Sequence, residues 1–439
     1  MTANSGLSYE YIKMVASTDI KFFVHTNNSA PQLTNNFGCM LNVLDAALIN
    51  GIQVGTVSSL TASGKIVTAV FGTAHNLMQY QVIKIAGANQ TEYNVEARIL
   101  SVPNATTITF ELAVVPSVAT ATGTINCSLP PLGWEKPFSS TSATGGKGAY
   151  RSTNLLLPSR PFLRVVDELD PVWTSTYAKY AKVGIVEDMT DIDTMLGVQA
   201  PYDSANIDKN WLGSGSGATA KNGWAKWYYA HNASFASSNS QSDTSATSSG
   251  NRRWILVGNA DYFYILPTNH STDVYFSPYG FGAFKSLINN DMSNTFLSSL
   301  FNDPISTYKA GYIPLNSGTT NQKILLQRGY AQNAAYAEAI ARSLRPLPSS
   351  TDEIRTGADN YIGSFSLTGI APFAPVFINE VVLRGEMPGI YWLFQKTPFF
   401  NFQLIEQNSS VYVAVNCATA VDGSVPLATG QIILKIGDL

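Results

Sequence analysis

The N-terminal part of the chain contains apolar residues at helical spacing. Between residues 35 and 50 they recur three to four positions apart, which places them on one face of a helix. They are Met40, Leu41, Leu44, Ala47 and Leu48. Asn35 or Asn36 can cap the start of this helix, and Gly51 suits the left-handed conformation at its end. The pattern predicts a helix over residues 35–50, after a short strand over residues 21–25.

From residue 51 the hydrophobic period changes from 3.6 to two, which is the spacing of a half-buried strand. Six short runs follow one another with Gly, Asn and Pro turns between them. The runs cover residues 52–57, 65–71, 81–86, 96–102, 107–112 and 123–129. Six short strands fit one small barrel. We therefore predict a β-barrel over residues 51–129, inserted into a main domain of residues 1–50 and 130–439.

The main domain is predicted to be a mainly β, sandwich-like fold with a few short helices. Its strand-like runs cover residues 162–166, 177–186, 224–230, 253–257 and 261–266, and alternation returns at 365–367, 376–382, 411–415 and 432–436. Short helices are predicted at 294–301 and 330–344, the second stopped by Pro346. Residues 139–148 and 234–250 are hydroxyl-rich and are expected to form mobile loops unless a neighbouring element orders them. Residues 281–439 could also form a separate C-terminal part.

The low content of charged residues and the small net charge limit which binding partners are expected. Charged residues make up 13% of the chain, about half of the roughly 25% usual in globular proteins, and 27 Lys and Arg against 30 Asp and Glu leave a net charge of -3. Nucleic acid is therefore not an expected partner. No apolar run approaches the roughly 18 to 20 residues that span a bilayer, so membrane insertion is not expected either.

The start of the sequence and its composition point in different directions on localisation. The first residues lack a basic region followed by an apolar stretch, so export by a signal peptide is not expected. The low-charge, hydroxyl-rich surface is nevertheless typical of extracellular proteins. A particle that is assembled in the cytoplasm and released by lysis would reconcile the two.

Candidate chemistry is sparse. The three cysteines stand far apart and the four histidines form no metal-binding pair, so neither a metal site nor a disulfide framework is predicted. His75 is interpreted as structural, and His231 and His270 as solvated. The glycine-rich run 213–218 lacks the Lys-Ser/Thr of a phosphate-binding loop and is interpreted as a plain loop. No catalytic residue and no cofactor are predicted.

Two acidic clusters keep an enzymatic alternative open. They are Asp167, Glu168 and Asp170, and Glu187, Asp188, Asp191 and Asp193. Paired carboxylates can cleave glycosidic bonds or hold a hard cation. Their simpler interpretation is as solvated turn acids or acids at helix N-termini. A glycan depolymerase therefore remains an alternative.

Aromatic residues cluster in the middle of the chain. The candidate interaction surface consists of Trp211, Trp224, Trp227, Tyr228 and Tyr229. Such rings can stack on sugars or anchor a protein interface. The alternative, which we favour, is that they fill the core of a sandwich.

Several segments of the sequence resemble those of a family of virion structural proteins of tailed bacteriophages. The similarity extends over residues 20–265. It is carried by residues 30–38, 43–48, 131–137, 150–152, 223–229 and 252–258. Within the predicted barrel, residues 73–77, 82–87 and 92–94 are similar to a small β-barrel module that recurs in phage structural proteins and is related to the FCCH barrel of ubiquitin-activating enzymes. This second resemblance implies a scaffold or interaction module without catalytic residues.

The resemblance implies a non-enzymatic component of a bacteriophage virion, most simply of the tail or baseplate. It would act through interfaces with other virion proteins and with further copies of itself in a symmetric assembly. Three alternatives stay open: a tail component that binds a host surface glycan, a head decoration protein, and the depolymerase.

Overall fold

The computed structural model describes residues 16–234, 242–301, 315, 324–343, 373–393, 398–419 and 428–439. The predicted mainly β class is confirmed. The first elements are strand β1 (Lys21–Val24), helix α1 (Cys39–Leu44) and a π-helical segment (Asp45–Asn50). The predicted helix is therefore present, but it begins at Cys39 and changes pitch. Gly51 ends it with a φ of 75°, which is positive as predicted, but its ψ of 175° lies outside the left-handed helical conformation.

Six strands follow the helix and close into a barrel in the order β2-β3-β6-β5-β4-β7. Their bounds are β2 Ile52–Ser63, β3 Ile66–Phe71, β4 Val82–Ala88, β5 Glu96–Asn104, β6 Thr107–Glu111 and β7 Gly123–Leu129. Alternate residues such as Ile108 and Phe110 are fully buried inside it. All six predicted runs are thus strands, whereas the division of the chain into an inserted domain and a main domain stays a prediction.

The middle of the chain forms a second set of strands. They are β8 Trp134–Ser142, β9 Gly145–Ser152, β10 Phe162–Glu168, β11 Lys179–Met189, β12 Met195–Ala200 and β13 Ala225–Ala230. The predicted mobile loop 139–148 is wrong, because these residues belong to the β8–β9 hairpin, in which Ser139 pairs with Gly148. Gly145 lets the hairpin turn beside β10, since a Cβ there would collide with the Asp167 carbonyl oxygen.

The remaining described strands run to the end of the chain. They are β14 Trp254–Gly258, β15 Tyr262–Pro267, β16 Tyr279–Ala283, β17 Lys285–Ser286, β18 Thr295–Ser298, β19 Leu300–Phe301, β20 Ile324–Leu326, β21 Ala337–Ser343, β22 Phe373–Asn379, β23 Leu383–Leu393, β24 Leu404–Gln407, β25 Ser410–Thr419 and β26 Ala428–Asp438. Residues 365–367, predicted to alternate, lie outside the described residues.

Both short helices predicted in this part of the chain are wrong. Residues 295–298 and 300–301 are strands, and residues 337–343 form β21, while 344 lies outside the described residues. Thr295–Ser298 is buried at every position and pairs with strands on both sides. Pairing on both edges and burial of both faces outweigh a weak local preference for helix.

The described strands outside the barrel form two antiparallel sheets. The larger follows the order β1-β14-β15-β16-β18-β20-β21-β22-β23-β26-β25-β24, with β17 beside β23, and the smaller follows β19-β13-β11-β10-β9-β8, with β12 beside β11. Trp227 of β13 stacks on Tyr279 of β16 at 6.0 Å between ring centres and meets Phe263 edge-on. The sheets therefore pack face to face, and aromatic rings fill the space between them.

Candidate functional site

The five aromatic residues predicted as a candidate interaction surface lie in the interior of the chain. Trp227, Tyr228 and Tyr229 are at most 1% exposed, and Trp211 and Trp224 are 5% exposed. The Trp227 indole N–H donates to the Ser298 carbonyl oxygen at 2.9 Å, which satisfies its polar atom inside the core. Burial corrects the prediction of an exposed aromatic surface at these positions and supports the alternative of a sandwich core.

Two acids of the first cluster, Asp167 and Asp170, are buried rather than solvated. Asp167 is fully buried and accepts hydrogen bonds from the Met40 amide at 2.9 Å and the Tyr229 hydroxyl at 2.6 Å. It thereby supplies the cap of α1 that Asn35 or Asn36 was predicted to provide. The N-cap residue is Gly38, which has no side chain. Burial raises the pKa of Asp167 to about 6, against the lowering effect of its hydrogen bonds.

A cavity of about 310 Å³ collects three of the remaining acids. Glu168, Asp170 and Asp193 line it together with Asp208. The other members of the second cluster lie elsewhere: Asp188 and Asp191 are exposed, and Glu187 pairs with Arg328 at 2.5 Å. The structure thus brings part of both predicted clusters to one place.

The strand register of the smaller sheet brings the cationic side chains of this cavity together. Lys147 on β9 and Lys182 on β11 both lie directly opposite Val166 of β10, and Arg164 stands two residues before Val166 on the same face. Opposite Arg164 lies Gly184, where a Cβ would collide with the Trp211 ring. Because Gly184 has no side chain, the Trp211 ring can lie over the sheet.

Each of these cations meets a carboxylate. The Lys182 ammonium donates to Asp170 Oδ2 and Asn222 Oδ1, both at 3.0 Å, and to the Trp211 carbonyl oxygen. Lys147 pairs with Asp193 at 2.8 Å. Partial burial would raise the pKa of Asp193, but the charges of Lys147 and Arg164 outweigh it and hold that pKa below its ordinary value. Asp193 therefore does not fit the general acid of a glycosidase, which needs a raised pKa.

Arg164 is the most constrained cation of the cavity. Its side chain is 4% exposed and its guanidinium carbon lies 4.4 Å from the centre of the Trp211 ring. Nε donates to the Ile192 carbonyl oxygen at 2.8 Å and Nη2 to Asp193 Oδ1 at 2.6 Å. Nη1 is buried and has no hydrogen-bond partner among the described residues. Burial lowers the pKa of Arg164, and Asp193 acts against that effect.

A second cavity of about 540 Å³ lies beside the first, and Asp208 and Leu212 line both. The Lys209 ammonium lies 3.9 Å from the centre of the Trp224 ring on its wall. The glycine-rich run 213–218 borders it. The Gly213 amide donates to Asp170 Oδ2 at 2.8 Å, so this amide is engaged by a carboxylate of the chain.

The histidines differ in burial. His75 is 2% exposed, accepts the Leu77 amide and packs on Phe71, which agrees with a structural role. The prediction of a solvated His231 is wrong, because it is fully buried and its Nε2 lies 3.2 Å from Asp243. Asp243, which also pairs with Lys226, holds part of the predicted loop 234–250 against the core, while residues 235–241 lie outside the described residues.

The described residues contain no cluster of metal ligands and no membrane-spanning helix. No group of three or more His, Cys, Asp or Glu side chains there could hold a metal ion. In the same part of the chain, no helix has the length and apolar character needed to cross a bilayer.

A patch of exposed apolar side chains lies at the turn between β22 and β23. We call it the apolar patch; it consists of Leu287, Met292, Tyr330, Val381, Val382 and Leu383, which are 41–86% exposed. Hydrogen bonds place Leu287 and Tyr330 beside this turn: the Leu287 amide donates to the Arg384 carbonyl oxygen at 3.0 Å, and the Tyr330 amide to the Glu380 carboxylate at 3.0 Å. Clustered exposed apolar side chains mark interaction sites more often than single ones do.

A buried network of ion pairs lies next to the apolar patch. Arg384 is fully buried and binds both carboxylate oxygens of Asp291 at 3.0 Å. Its Nη1 donates to Glu380 at 2.9 Å. Bidentate pairs of this kind fix geometry. Arg384 and Glu380 therefore anchor the turn that presents these exposed side chains.

Comparisons with known proteins add little to this picture. No family model matches the chain, and no curated protein matches it. A solved structure that shows similarity is a phage phi92 endosialidase, at 8% identity and a TM-score of 0.15, covering 88% of this chain and 51% of that one. The chain spans about half the length of that protein. A TM-score this low carries no argument about the function of this chain.

Proposed function

We propose that this chain is a structural component of a bacteriophage virion, in the tail or baseplate, and that it acts through protein–protein interfaces in a symmetric assembly rather than as an enzyme. The observation that carries the proposal is the apolar patch. Three consecutive branched residues stand exposed: Val381 and Val382 lie in a turn, where polar residues are usual, and Leu383 begins the next strand. The sequence resemblance to tailed-phage virion proteins supports the same role.

The partner that fits the patch best is a second copy of the chain. The patch is apolar, and its border carries both signs of charge, with Lys285 73% exposed and 4.0 Å from Glu386. A border of mixed sign can face a copy of itself without uniform repulsion. The net charge of -3 adds little repulsion between copies. Other virion proteins would be further partners in the assembled particle.

We expect Val382→Glu to weaken self-association of the purified chain by at least about tenfold, about 1.4 kcal/mol, because it places a charge in an apolar contact. Sedimentation velocity over a concentration series measures this change. Leu156→Glu is the matched control, since Leu156 is 92% exposed and lies outside the patch. A monomeric wild-type chain, or equal association of Val382→Glu and wild type, would contradict self-assembly through the patch.

Location in the particle needs a separate experiment. Mass spectrometry of purified tails and heads from a phage that encodes the chain should find it in tails. Its presence only in heads would favour the decoration role, and its absence from both would overturn the virion proposal.

A further inference from the structure

We propose that the cleft lined by Arg164 binds a neutral oligosaccharide. The site is independent of the apolar patch and of the proposed role in assembly. Three features of the cleft point to such a ligand: an unpaired buried donor, a balanced set of charges, and a second cavity that extends the first.

The unpaired donor is Nη1 of Arg164. Nε and Nη2 are both engaged, yet Nη1 is buried without a partner among the described residues. Leaving a buried donor unpaired is unfavourable, and more so for a charged group. The contacts with Asp193 and Ile192 hold the guanidinium in place over Trp211. An oxygen atom of a ligand in the cleft would complete its hydrogen bonding.

The charged side chains that line the Arg164 cavity favour a neutral ligand. Three cations, Lys147, Arg164 and Lys182, face four carboxylates. They are Glu168, Asp170, Asp193 and Asp208. An anion would meet the surplus of carboxylates, and a cation would meet three positive side chains. A hydroxyl group accepts from Arg and Lys and donates to Asp and Glu, so neighbouring sugar hydroxyls match such a lining.

The adjoining cavity indicates that the ligand has more than one ring. The two cavities, of about 310 and 540 Å³, share Asp208 and Leu212 in their walls. Both volumes are in the usual range for small-molecule sites. Leu212 is 60% exposed between them, which offers an apolar surface to the C–H face of a sugar. A short oligosaccharide can therefore lie across Leu212 and reach Arg164.

The test is an array of neutral oligosaccharides of glucose, galactose, mannose, rhamnose and N-acetylhexosamines, incubated with the full-length chain. The best ligand is then titrated by calorimetry into wild type, Arg164→Lys and Asp208→Asn. Lysine keeps the charge of Arg164 but lacks Nη1. Asp208 is exposed, so its change to Asn should leave the fold intact. We expect each variant to bind at least about tenfold more weakly.

Arg151→Lys is the matched control. Arg151 also pairs with a carboxylate, Glu135, at 2.7 Å and lies 4.6 Å from the centre of an aromatic ring, Phe162, but it is outside the cavity lining. Its change should leave binding unaltered, as should Val382→Glu, which separates this proposal from the one on assembly. If thermal melting shows that Arg164→Lys is unfolded, Asp208→Asn decides. Absence of neutral ligands, binding only of sialylated or uronic oligosaccharides or inorganic phosphate, or unchanged binding by the folded variants would overturn the proposal.

Discussion

Replacing Arg98 by alanine is expected to lower the free energy of unfolding by about 4 kcal/mol, because one buried guanidinium satisfies carbonyl groups of three separate parts of the chain. Arg98 is 2% exposed on β5 of the barrel. It donates to the carbonyl oxygens of Tyr80 and Ile436 at 2.8 Å, and to those of Ser17 and Ile20. Gly437 makes room for it, since a Cβ there would collide with the guanidinium.

The loss should come from the hydrogen bonds rather than from volume alone. Arg98→Met keeps most of the packing but leaves the same carbonyl groups without their donor, so we expect it to lose nearly as much stability as Arg98→Ala. Lys84→Ala, an exposed change on the neighbouring strand β4, is the control and should stay within about 0.5 kcal/mol of wild type. Urea denaturation followed by fluorescence measures all three variants. If Arg98→Met matched wild type, the carbonyl bonds would contribute little.

A second large effect is expected in the pH dependence of stability, and it comes from Asp167. Burial raises the pKa of this carboxyl from 3.8 to about 6 in the folded chain. Between these pH values the folded chain holds more protons at this site than the unfolded chain does, so stability contributed by the protonated form is lost as pH rises from about 4 to about 6. The size of the loss is about 3 kcal/mol.

Asp167→Asn isolates this contribution. The amide oxygen can still accept from Met40, and the amide NH₂ can donate to the Tyr229 oxygen, so the cap of α1 should persist. The free energy of unfolding of wild type relative to the variant should therefore fall by about 3 kcal/mol between pH 4 and pH 7. Asp188→Asn, an exposed change, should show the wild-type profile. Parallel pH profiles for wild type and Asp167→Asn would show that this carboxyl does not titrate in the predicted range.

Two residues that line the candidate cleft are weakly indicated by the sequence. Arg164 and Lys182 interrupt apolar runs, Phe162–Glu168 and Lys179–Met189, that otherwise predict buried strands. A cation inside such a run requires a partner. The signal does not name that partner, because Asp170 and Asp193 come from loops whose positions depend on the paths of other strands. The apolar patch also shows as three consecutive apolar residues, 381–383, but only the structure reveals their exposure.

Local periodicity by itself determined the mainly β class, the six strands of the barrel and the helix that Gly51 ends, because side-chain alternation and turn chemistry are properties of neighbouring residues. Tertiary structure alone decided that residues 139–148 and 295–298 pair as strands, that the aromatic cluster is buried, and that Asp167 caps a helix 127 residues before it. Pairing, burial and capping across such separations depend on which distant segments come into contact. Short-range sequence patterns do not specify those contacts.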